Sequence, residues 1–269
     1  MHPEFFSINI PSFLQSFLPS TVTVHFYGFL IATGAVLGII YTAKEAKKHY
    51  GLKFDDANSL FILLLLAGII GGKVFFFFEN PSYYLNHPKQ LFSGGGFVFY
   101  GSLLFTIPVM YFFFKAHRLP FRGMLDIMAI TTCIVHVLGR MGCYMAGCCH
   151  GLPYDGMLSV TFSDPNSLAH PLNTPLHPTQ LYSVTLILII LVILFRIKKR
   201  KAFDGQIFIS YLILYASGRI VIEIFRGDIK RGFIIEDILS HSQFISLIII
   251  SIAIYIYYKL YKRSIVEKK

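Results

Sequence analysis

Charged residues are scarce in this sequence, cysteine is rare and tryptophan is absent. Asp, Glu, Lys and Arg make up 14% of the 269 residues, whereas a soluble domain carries roughly a quarter. The four cysteines are too few for a secreted domain built on disulfides. Hydrophobic residues make up 55% of the chain, and its mean hydropathy is +0.62. This composition excludes an ordinary soluble or disordered protein and indicates an integral membrane protein.

Seven apolar stretches are long enough to cross a bilayer, which takes about 20 residues of helix. None shows the alternation of short apolar and polar positions that is typical of an outer-membrane barrel. The stretches cover residues 22–43, 59–79, 97–115, 124–143, 180–197, 206–226 and 243–261. The sequence therefore predicts an all-α, polytopic membrane protein that forms one domain over residues 1–269.

The distribution of basic residues predicts the orientation of the chain. Four segments hold 17 of the 24 Lys and Arg residues, and they are 44–53, 115–122, 196–201 and 259–269. With seven spans all four fall on one side, and the positive-inside rule makes this the cytoplasmic side. We therefore expect a multi-pass membrane protein with its N-terminus outside and its C-terminus in the cytoplasm. Because the basic runs have this role, no nucleic-acid partner is expected.

Two polar segments on the predicted outer side, residues 80–96 and 144–179, are too polar to span the membrane. The first ends in a glycine run at 93–96, and the second is rich in Gly, Pro, Asn and Asp. Long loops in compact proteins are usually functional. A site on the outer face is therefore expected to involve both segments.

Four cationic residues lie in or at the edge of apolar stretches, namely Lys73, Arg140, Arg219 and Arg226. A charge in hydrocarbon costs about 2.5–3.5 kcal/mol on insertion scales and indicates function by default. The spacing of four, four and three residues places the following on one helical face: Tyr215, Arg219, Glu223 and Arg226. An internal salt-bridge ladder would explain this face, but one carboxylate cannot neutralise two arginines.

Arg140 stands between Gly139 and Gly142, and small residues let a helix or a ligand approach the backbone closely. No acidic residue lies within one helical turn, so its counter-charge must come from elsewhere. A lipid phosphate is a candidate because the guanidinium fork matches phosphate oxygens. Snorkelling of the side chain to the lipid headgroups is the structural alternative.

The outer end of the fourth stretch carries Cys143, Cys148, Cys149 and His150. Three interpretations stay open: a disulfide from Cys143 to either of the other two cysteines, thiols that line a site, or a metal site. Zinc is disfavoured because adjacent cysteines are poor joint ligands and no second motif accompanies them. We therefore expect no metal and no cofactor.

Six motifs in order give the chain a resemblance to the prolipoprotein diacylglyceryl transferases over nearly its whole length. In this sequence they are HFYG at 25–28, GGK at 71–73, GGGFVFYG at 94–101, GRMG at 139–142, HPTQLY at 177–182 and YASGRIVIEIFR at 215–226. The corresponding family patterns are HWYG, GGR, GGxxFHGG, the opening of GRxGNFxNxExxG, HPSQLYE and YGxxRxxxExxR. The six motifs occur in the family's order and on the expected side of the seven spans, so chance does not explain the agreement.

The resemblance implies an enzyme that moves the diacylglyceryl group of phosphatidylglycerol onto the lipobox cysteine of a prolipoprotein, the first step of bacterial lipoprotein modification. Glycerol-1-phosphate is the implied leaving group, and the implied partners are phosphatidylglycerol, prolipoprotein signal peptides and membrane lipid. The catalytic residues implied are Arg140 and Arg219 on the phosphate, Glu223 holding Arg219, and Tyr100 at the position of the family's proposed proton acceptor. The implied substrate-binding residues are Tyr27, His25, Lys73, Gly142, Cys143, Gln180, Tyr215 and Arg226.

The chain departs from the family patterns at several positions, of which five bear on the chemistry. Tyr100 replaces a histidine, Lys73 replaces an arginine, and Ser183 replaces a glutamate. Cys143 and Cys148 stand where the family has Asn and Glu. A neutral tyrosine, with an ordinary pKa near 10, is a poor base at pH 7, so thiol deprotonation would rely on a cationic field, on a perturbed Tyr100, or on a different acceptor. The sequence nevertheless predicts that Tyr100 matters more to activity than Cys148.

Two other functions remain open at this point. The chain could be a diverged paralogue that uses the same phospholipid donor with another acceptor. It could also be a lipid-binding or transport protein without enzymatic activity. A transporter would normally show internal repeats and broken helices in matching halves, and the sequence shows neither.

Overall fold

The computed structural model describes residues 3–11, 20–79, 81–87, 97–227, 233–235 and 238–266. Its helices, in chain order, are α1 (Phe26–Tyr50), α2 (Phe54–Glu79), α3 (Pro81–Asn86), α4 (Phe99–Ala116), α5 (Phe121–Ala146), α6 (Thr179–Lys199), α7 (Gln206–Ile224) and α8 (His241–Val266). Its strands are β1 (Glu4–Asn9), β2 (Thr21–His25), β3 (Val160–Thr161), β4 (Pro175–Leu176), β5 (Phe233–Ile235) and β6 (Leu239–Ser240). Consecutive strands pair as three antiparallel hairpins.

Seven of the described helices, all except α3, are long and apolar enough to cross a membrane. They coincide with the seven apolar stretches of the sequence, with ends that differ by a few residues. The predicted all-α, polytopic architecture is confirmed, and the chain is a multi-pass membrane protein. The short hairpins do not alter the class because each lies outside the spans.

The chain divides into two compact units. The first unit contains Met1–Gly38 and Asp126–Lys269, and the second unit contains Ile39–Leu125. That the chain is one domain stays a prediction.

In the second unit, α2 packs against α4 at a crossing built from glycines. A Cβ on Gly71 would collide with the carbonyl oxygen of Gly101, and a Cβ on Gly101 would collide with that of Gly71. Ser102 Oγ donates to the Gly68 carbonyl at 2.8 Å across the same crossing. The Gly71–Lys73 and Phe97–Gly101 motif segments therefore include a close helix contact, and residues 94–96 of the glycine motif lie outside the described residues.

In the first unit, α7 packs against both α6 and α8, and a buried acid of α5 holds the start of α7. The Asp126 carboxylate is 3% exposed and accepts hydrogen bonds from the backbone N–H groups of Gly205 (2.9 Å) and Phe208 (3.0 Å). Lys201 Nζ lies 3.2 Å from the same carboxylate. Asp126 thus supplies from another helix the acceptor that a helix N-terminus needs.

The segment between α5 and α6 has a small core of its own. Phe162, Ala169 and Leu176 are buried together, and β3 pairs with β4 beside them. This segment, predicted as the loop 144–179, is therefore an ordered structure. In the other predicted loop, 80–96, the structure has α3, and residues 80 and 88–96 lie outside the described residues.

Candidate functional site

The end of α5 presents a polar pair within the first unit. Arg140 Nε donates to His136 Nε2 at 3.2 Å, one helical turn apart, so this ring nitrogen carries no proton. The His136 ring lies 5.3 Å from the Tyr215 ring of α7. No described carboxylate pairs with Arg140, as the sequence predicted for its own helical turn.

The polar face of α7 contributes a buried ion pair. Arg219 Nη2 lies 2.6 Å from Glu223 Oε2, and the Glu223 side chain is 3% exposed. Arg219 also lies within electrostatic range of Arg140 and Arg226. Three guanidinium groups and one carboxylate therefore belong to this cluster, and its net positive charge suits an anionic ligand.

The start of α1 packs on α5 where the sequence places glycine. A Cβ on Gly142 would lie 3.1 Å from the Tyr27 ring and 3.3 Å from the Tyr27 carbonyl oxygen. On the other side of Arg140, a Cβ on Gly139 would meet no atom within 4 Å. Gly142 is thus needed for the approach of α1, whereas Gly139 leaves open space beside Arg140.

Three thiols gather beside these arginines. The Sγ atoms of Cys143, Cys148 and Cys149 all lie within 4.8 Å of one another, and all three cysteines are free. Helix α5 is followed by Gly147, which has a φ of 78°, and Cys149 has a φ of 61°. These two left-handed residues reverse the chain and bring the two adjacent cysteines to the same place as Cys143.

The HPTQLY motif holds residues 143–152, called the thiol loop below, in position. Thr179 Oγ1 donates to the Cys149 carbonyl at 2.6 Å, and Gln180 Nε2 donates to the Cys148 carbonyl at 2.7 Å. The backbone N–H of Cys148 also donates to the Cys143 carbonyl at 3.1 Å. The loop is therefore fixed from the first turn of α6 as well as from α5.

The next residues of the loop form backbone contacts on two sides. Gly151 N–H donates to the His177 carbonyl at 2.8 Å, and Leu152 N–H donates to the Phe225 carbonyl at 3.0 Å. The His177 ring stacks on Tyr154 at 4.0 Å, and Tyr182 lies 3.0 Å from His177 Nδ1. The HPTQLY motif and the end of α7 thus clamp the thiol loop between them.

The thiols beyond the end of α5 have shifted pKa values. Hydrogen bonds with the Cys143 and Cys148 thiols, together with the charges of Arg140 and Arg226, lower the pKa of Cys149. Hydrogen bonds with Cys143 and Cys149 raise the pKa of Cys148. The positive charges near Cys149 therefore favour its thiolate form.

Most of the residues singled out from the sequence lie together in the first unit. They are Tyr27, Arg140, Gly142, Cys143, Gln180, Tyr215, Arg219, Glu223 and Arg226. His25 belongs to the same unit and lies exposed at the end of β2. Gln180 is fully buried and contacts the thiol loop, so direct substrate binding by this residue stays a prediction.

Lys73 and Tyr100 belong to the second unit. Lys73 Nζ lies 5.6 Å from the centre of the Phe76 ring, and Tyr100 is 54% exposed. The roles expected for both residues stay predictions.

Sequence reasoning missed Thr179 and His177 as supports of the thiol loop. Their signal was present, because both belong to the HPTQLY motif, but their partner atoms are backbone carbonyls and ring faces. Contacts to backbone carbonyls and ring faces do not depend on the identity of a second residue, so no sequence pattern predicts them. Only the folded chain shows that this motif and the cysteines form one structure.

These features define an integral membrane protein with an arginine-rich, thiol-bearing site suited to an anionic group. A family model described as prolipoprotein diacylglyceryl transferase matches residues 15–259. The chain therefore belongs to the prolipoprotein diacylglyceryl transferase family, as its six motifs indicated.

Curated relatives agree with this assignment, and each of the following is called a phosphatidylglycerol–prolipoprotein diacylglyceryl transferase. The protein of Clostridium tetani is 33% identical over 87% of this chain and 92% of its own. That of Clostridioides difficile is 30% identical over 77% of this chain and 80% of its own. That of Dehalococcoides mccartyi (strain CBDB1) is 26% identical over 98% of this chain and 99% of its own.

Proposed function

We propose that this protein transfers the diacylglyceryl group of phosphatidylglycerol to the lipobox cysteine thiol of a prolipoprotein. The observation that carries the proposal is a cluster of arginines in a membrane protein: Arg219 pairs with Glu223 and lies within electrostatic range of Arg140 and Arg226. The family membership of the chain supports the same reaction. An arginine cluster in a multi-pass protein fits a phospholipid donor, whose phosphate stays at membrane level.

The arginines act on the leaving group in this proposal. The acceptor thiol gives its proton to solvent and its sulfur attacks the diacylglyceryl carbon. The carbon–oxygen bond breaks, and the electron pair leaves with glycerol-1-phosphate. The phosphate changes from a monoanionic diester to a dianionic monoester. Arg140 and Arg219 would bind this charge more strongly as it develops, which lowers the barrier.

Glu223 would act as a positioning residue. Its 2.6 Å contact with Arg219 Nη2 orients the guanidinium while the other N–H groups face the phosphate. His136 has the same relation to Arg140, because it accepts only from Nε. Both η nitrogens of Arg140 stay available for a two-pronged contact with phosphate oxygens.

The remaining residues would line the two substrates. Tyr27 lies within electrostatic range of Arg140 and of all three thiols of the loop, and Tyr215 contacts His136. The exposed hydroxyl of Tyr100 would hydrogen-bond a reacting group. Lys73 and His25 would contribute positive or polar contacts to the lipid headgroup or the signal peptide.

The finer localisation is part of the same proposal. The family indicates the inner membrane of a bacterium, and the basic segments predict that the N-terminus lies outside and the C-terminus in the cytoplasm. The thiol loop follows the predicted outer end of α5. A prolipoprotein translocated across the membrane would then meet the site with its signal peptide still inserted.

The test uses purified full-length protein, phosphatidylglycerol labelled in its acyl chains, and a lipobox peptide. We expect the peptide to gain the diacylglyceryl mass and glycerol-1-phosphate to appear in equal amount. A peptide with Ser in place of the lipobox Cys serves as the control and should stay unmodified. Consumption of the lipid without modification of the Cys peptide would contradict the proposed acceptor, and no consumption at all would contradict the enzyme.

A further inference from the structure

We propose that Cys143, Cys148 and Cys149 bind one zinc ion, and that its fourth coordination position takes the thiol of the acceptor cysteine. The inference rests on the proposed function, because it names how that reaction obtains its thiolate. It differs from the sequence-based expectation, which disfavoured zinc on the grounds that adjacent cysteines are poor joint ligands.

The distances between the thiols fit a three-sulfur site. Tetrahedral zinc bound at about 2.3 Å separates its sulfurs by about 3.8 Å. The three Sγ atoms lie within 4.8 Å of one another, so closing around an ion requires movement of about 1 Å at most. Rotation of cysteine side chains suffices for such a movement.

The backbone conformation of Cys148 and Cys149 directs both thiols toward the same point. Cys149 has a φ of 61°, which removes the extended geometry that normally sends neighbouring side chains in opposite directions. The hydrogen bonds from Thr179 and Gln180 to the Cys149 and Cys148 carbonyls keep this shape. Support of this kind is what a metal site requires beyond its direct ligands.

The neighbouring histidine is not a fourth ligand. His150 Nδ1 donates to the Gly151 carbonyl at 2.9 Å, and His150 Nε2 accepts from the His170 N–H at 3.3 Å. Because both ring nitrogens of His150 are hydrogen-bonded, the cluster offers only its three sulfurs as zinc ligands. Zinc sites with three protein ligands and one open position are catalytic in type, whereas structural sites are closed by four.

The surrounding charge favours the bound state. Three thiolates and one zinc ion carry a net charge of −1, and a fourth thiolate makes it −2. Arg140 and Arg226 lie within electrostatic range of Cys149, and Arg140 also acts on Cys143. The same Arg140 that would bind the lipid phosphate thus stands beside the thiol site, as a reaction between the two substrates requires.

A zinc-bound thiol loses its proton on coordination. The acceptor thiol would give its proton to bulk water and bind zinc as a thiolate. Its sulfur then forms the new bond to the diacylglyceryl carbon as the bond from that carbon to the phosphate oxygen breaks, and glycerol-1-phosphate leaves with the electron pair. The thioether is neutral and a weak ligand, so it leaves the zinc. This route needs no general base at Tyr100.

The first test is the metal content of the purified full-length protein. We expect about one zinc per chain in the wild-type protein. The zinc content should fall at least about tenfold in each of Cys143→Ser, Cys148→Ser and Cys149→Ser. Cys133→Ala is the matched control, because Cys133 is buried in the same helix and lies outside the cluster, and it should keep its zinc. Size-exclusion profiles and thermal unfolding of each variant identify any that fail to fold.

The second test reports on the open position. Cobalt(II) put in place of zinc should give the sulfur-to-metal absorption of a three-thiolate site in the wild-type protein. Addition of the lipobox peptide should strengthen that absorption, whereas the peptide with Ser in place of Cys should not. This readout needs no variant and no turnover.

The outcomes separate the inference from the function on which it rests. Loss of transfer on chelation with recovery on adding zinc, together with the cobalt response, supports both. Full transfer by metal-free protein, or a disulfide between Cys143 and another thiol in the active protein, overturns the inference and leaves the function standing. A cobalt response to the thiol without any transfer supports the site and overturns the proposed reaction.

Discussion

The Nε of Arg140 donates to His136 at 3.2 Å. Its two η nitrogens are the donors proposed to bind the lipid phosphate. Arg219 is oriented in a different way, by the Glu223 carboxylate. Charge alone would allow lysine at either position, but geometry would not, because lysine has no fork and no second donor for a positioning partner.

The first prediction concerns the replacement of either arginine by lysine. We expect Arg140→Lys and Arg219→Lys to lower the rate of diacylglyceryl transfer at least about 100-fold, which is the typical cost of one lost donor to a developing anion. The measurement is peptide modification by purified protein at saturating phosphatidylglycerol. Arg122→Lys is the control, because Arg122 is exposed at the start of α5 and should keep the full rate. Unchanged turnover in a folded Arg140→Lys or Arg219→Lys variant would show that these arginines are structural.

The second prediction concerns Tyr100. We expect Tyr100→Phe to lower the rate of transfer at least about tenfold, because the variant loses the hydroxyl proposed to hydrogen-bond a reacting group. Tyr111→Phe is the control from the same helix, where Tyr111 is 45% exposed. If both variants transfer equally well, the hydroxyl of Tyr100 has no part in the reaction. The proposed zinc site predicts that the cysteine variants lose more transfer activity than Tyr100→Phe does. The sequence alone predicted the opposite order, with Tyr100 more important than Cys148.

Among the elements, α2 and α4 meet where both have glycine, and this contact explains part of two motifs. Gly71 and Gly101 face each other, and each carbonyl occupies the space of the other's missing Cβ. Ser102 adds a hydrogen bond to Gly68. Close backbone approach through small residues is a general means of helix association in membranes.

The third prediction uses two glycines of α2. We expect Gly71→Ala to lower the free energy of unfolding by about 1–3 kcal/mol, because the added methyl meets rigid backbone. Gly68→Ala is the matched control, since its Cβ would lie 3.6 Å from the Thr106 methyl, which is ordinary contact. That variant should be neutral or stabilised by up to about 1 kcal/mol. Thermal unfolding in detergent measures both, and equal behaviour of the two variants would contradict the close crossing.

At the scale of the whole molecule, the distribution of basic residues predicts the orientation of the chain in the membrane. The segments that hold 17 of the 24 basic residues all fall on one side of seven spans. The segment from residue 141 to residue 195 contains no Lys or Arg. By the positive-inside rule, we expect the thiol loop and the hairpin of β3 and β4 on the outer side.

The fourth prediction is this orientation. A C-terminal fusion to alkaline phosphatase, which is active only outside the cytoplasm, should be inactive, and a C-terminal fusion to green fluorescent protein should fluoresce. The same phosphatase inserted after Asp155 of the loop should be active, whereas one inserted after Arg118 should not. An active C-terminal phosphatase fusion would reverse the assigned topology.

The membrane class, the number of spans and the family could be predicted from the sequence. Each span must satisfy its own backbone hydrogen bonds within one segment, so hydropathy along the chain is sufficient to find it. The spacing of Tyr215, Arg219 and Glu223 placed them on one face for the same local reason, and the structure pairs Arg219 with Glu223. Features that depend on one helix or on one stretch of composition are thus readable without a fold.

The thiol cluster, the anchor of α7 and the glycine crossing could be seen only in the tertiary structure. Adjacent cysteines were judged poor joint ligands, yet the positive φ of Cys149 and the bonds from Thr179 and Gln180 turn both thiols to Cys143. No sequence pattern indicated the role of Asp126, because its hydrogen-bond partners begin at Lys201, 75 residues later in the chain. Contacts of this kind arise from backbone conformation and from pairing of distant segments, and neither leaves a periodic or compositional trace in the sequence.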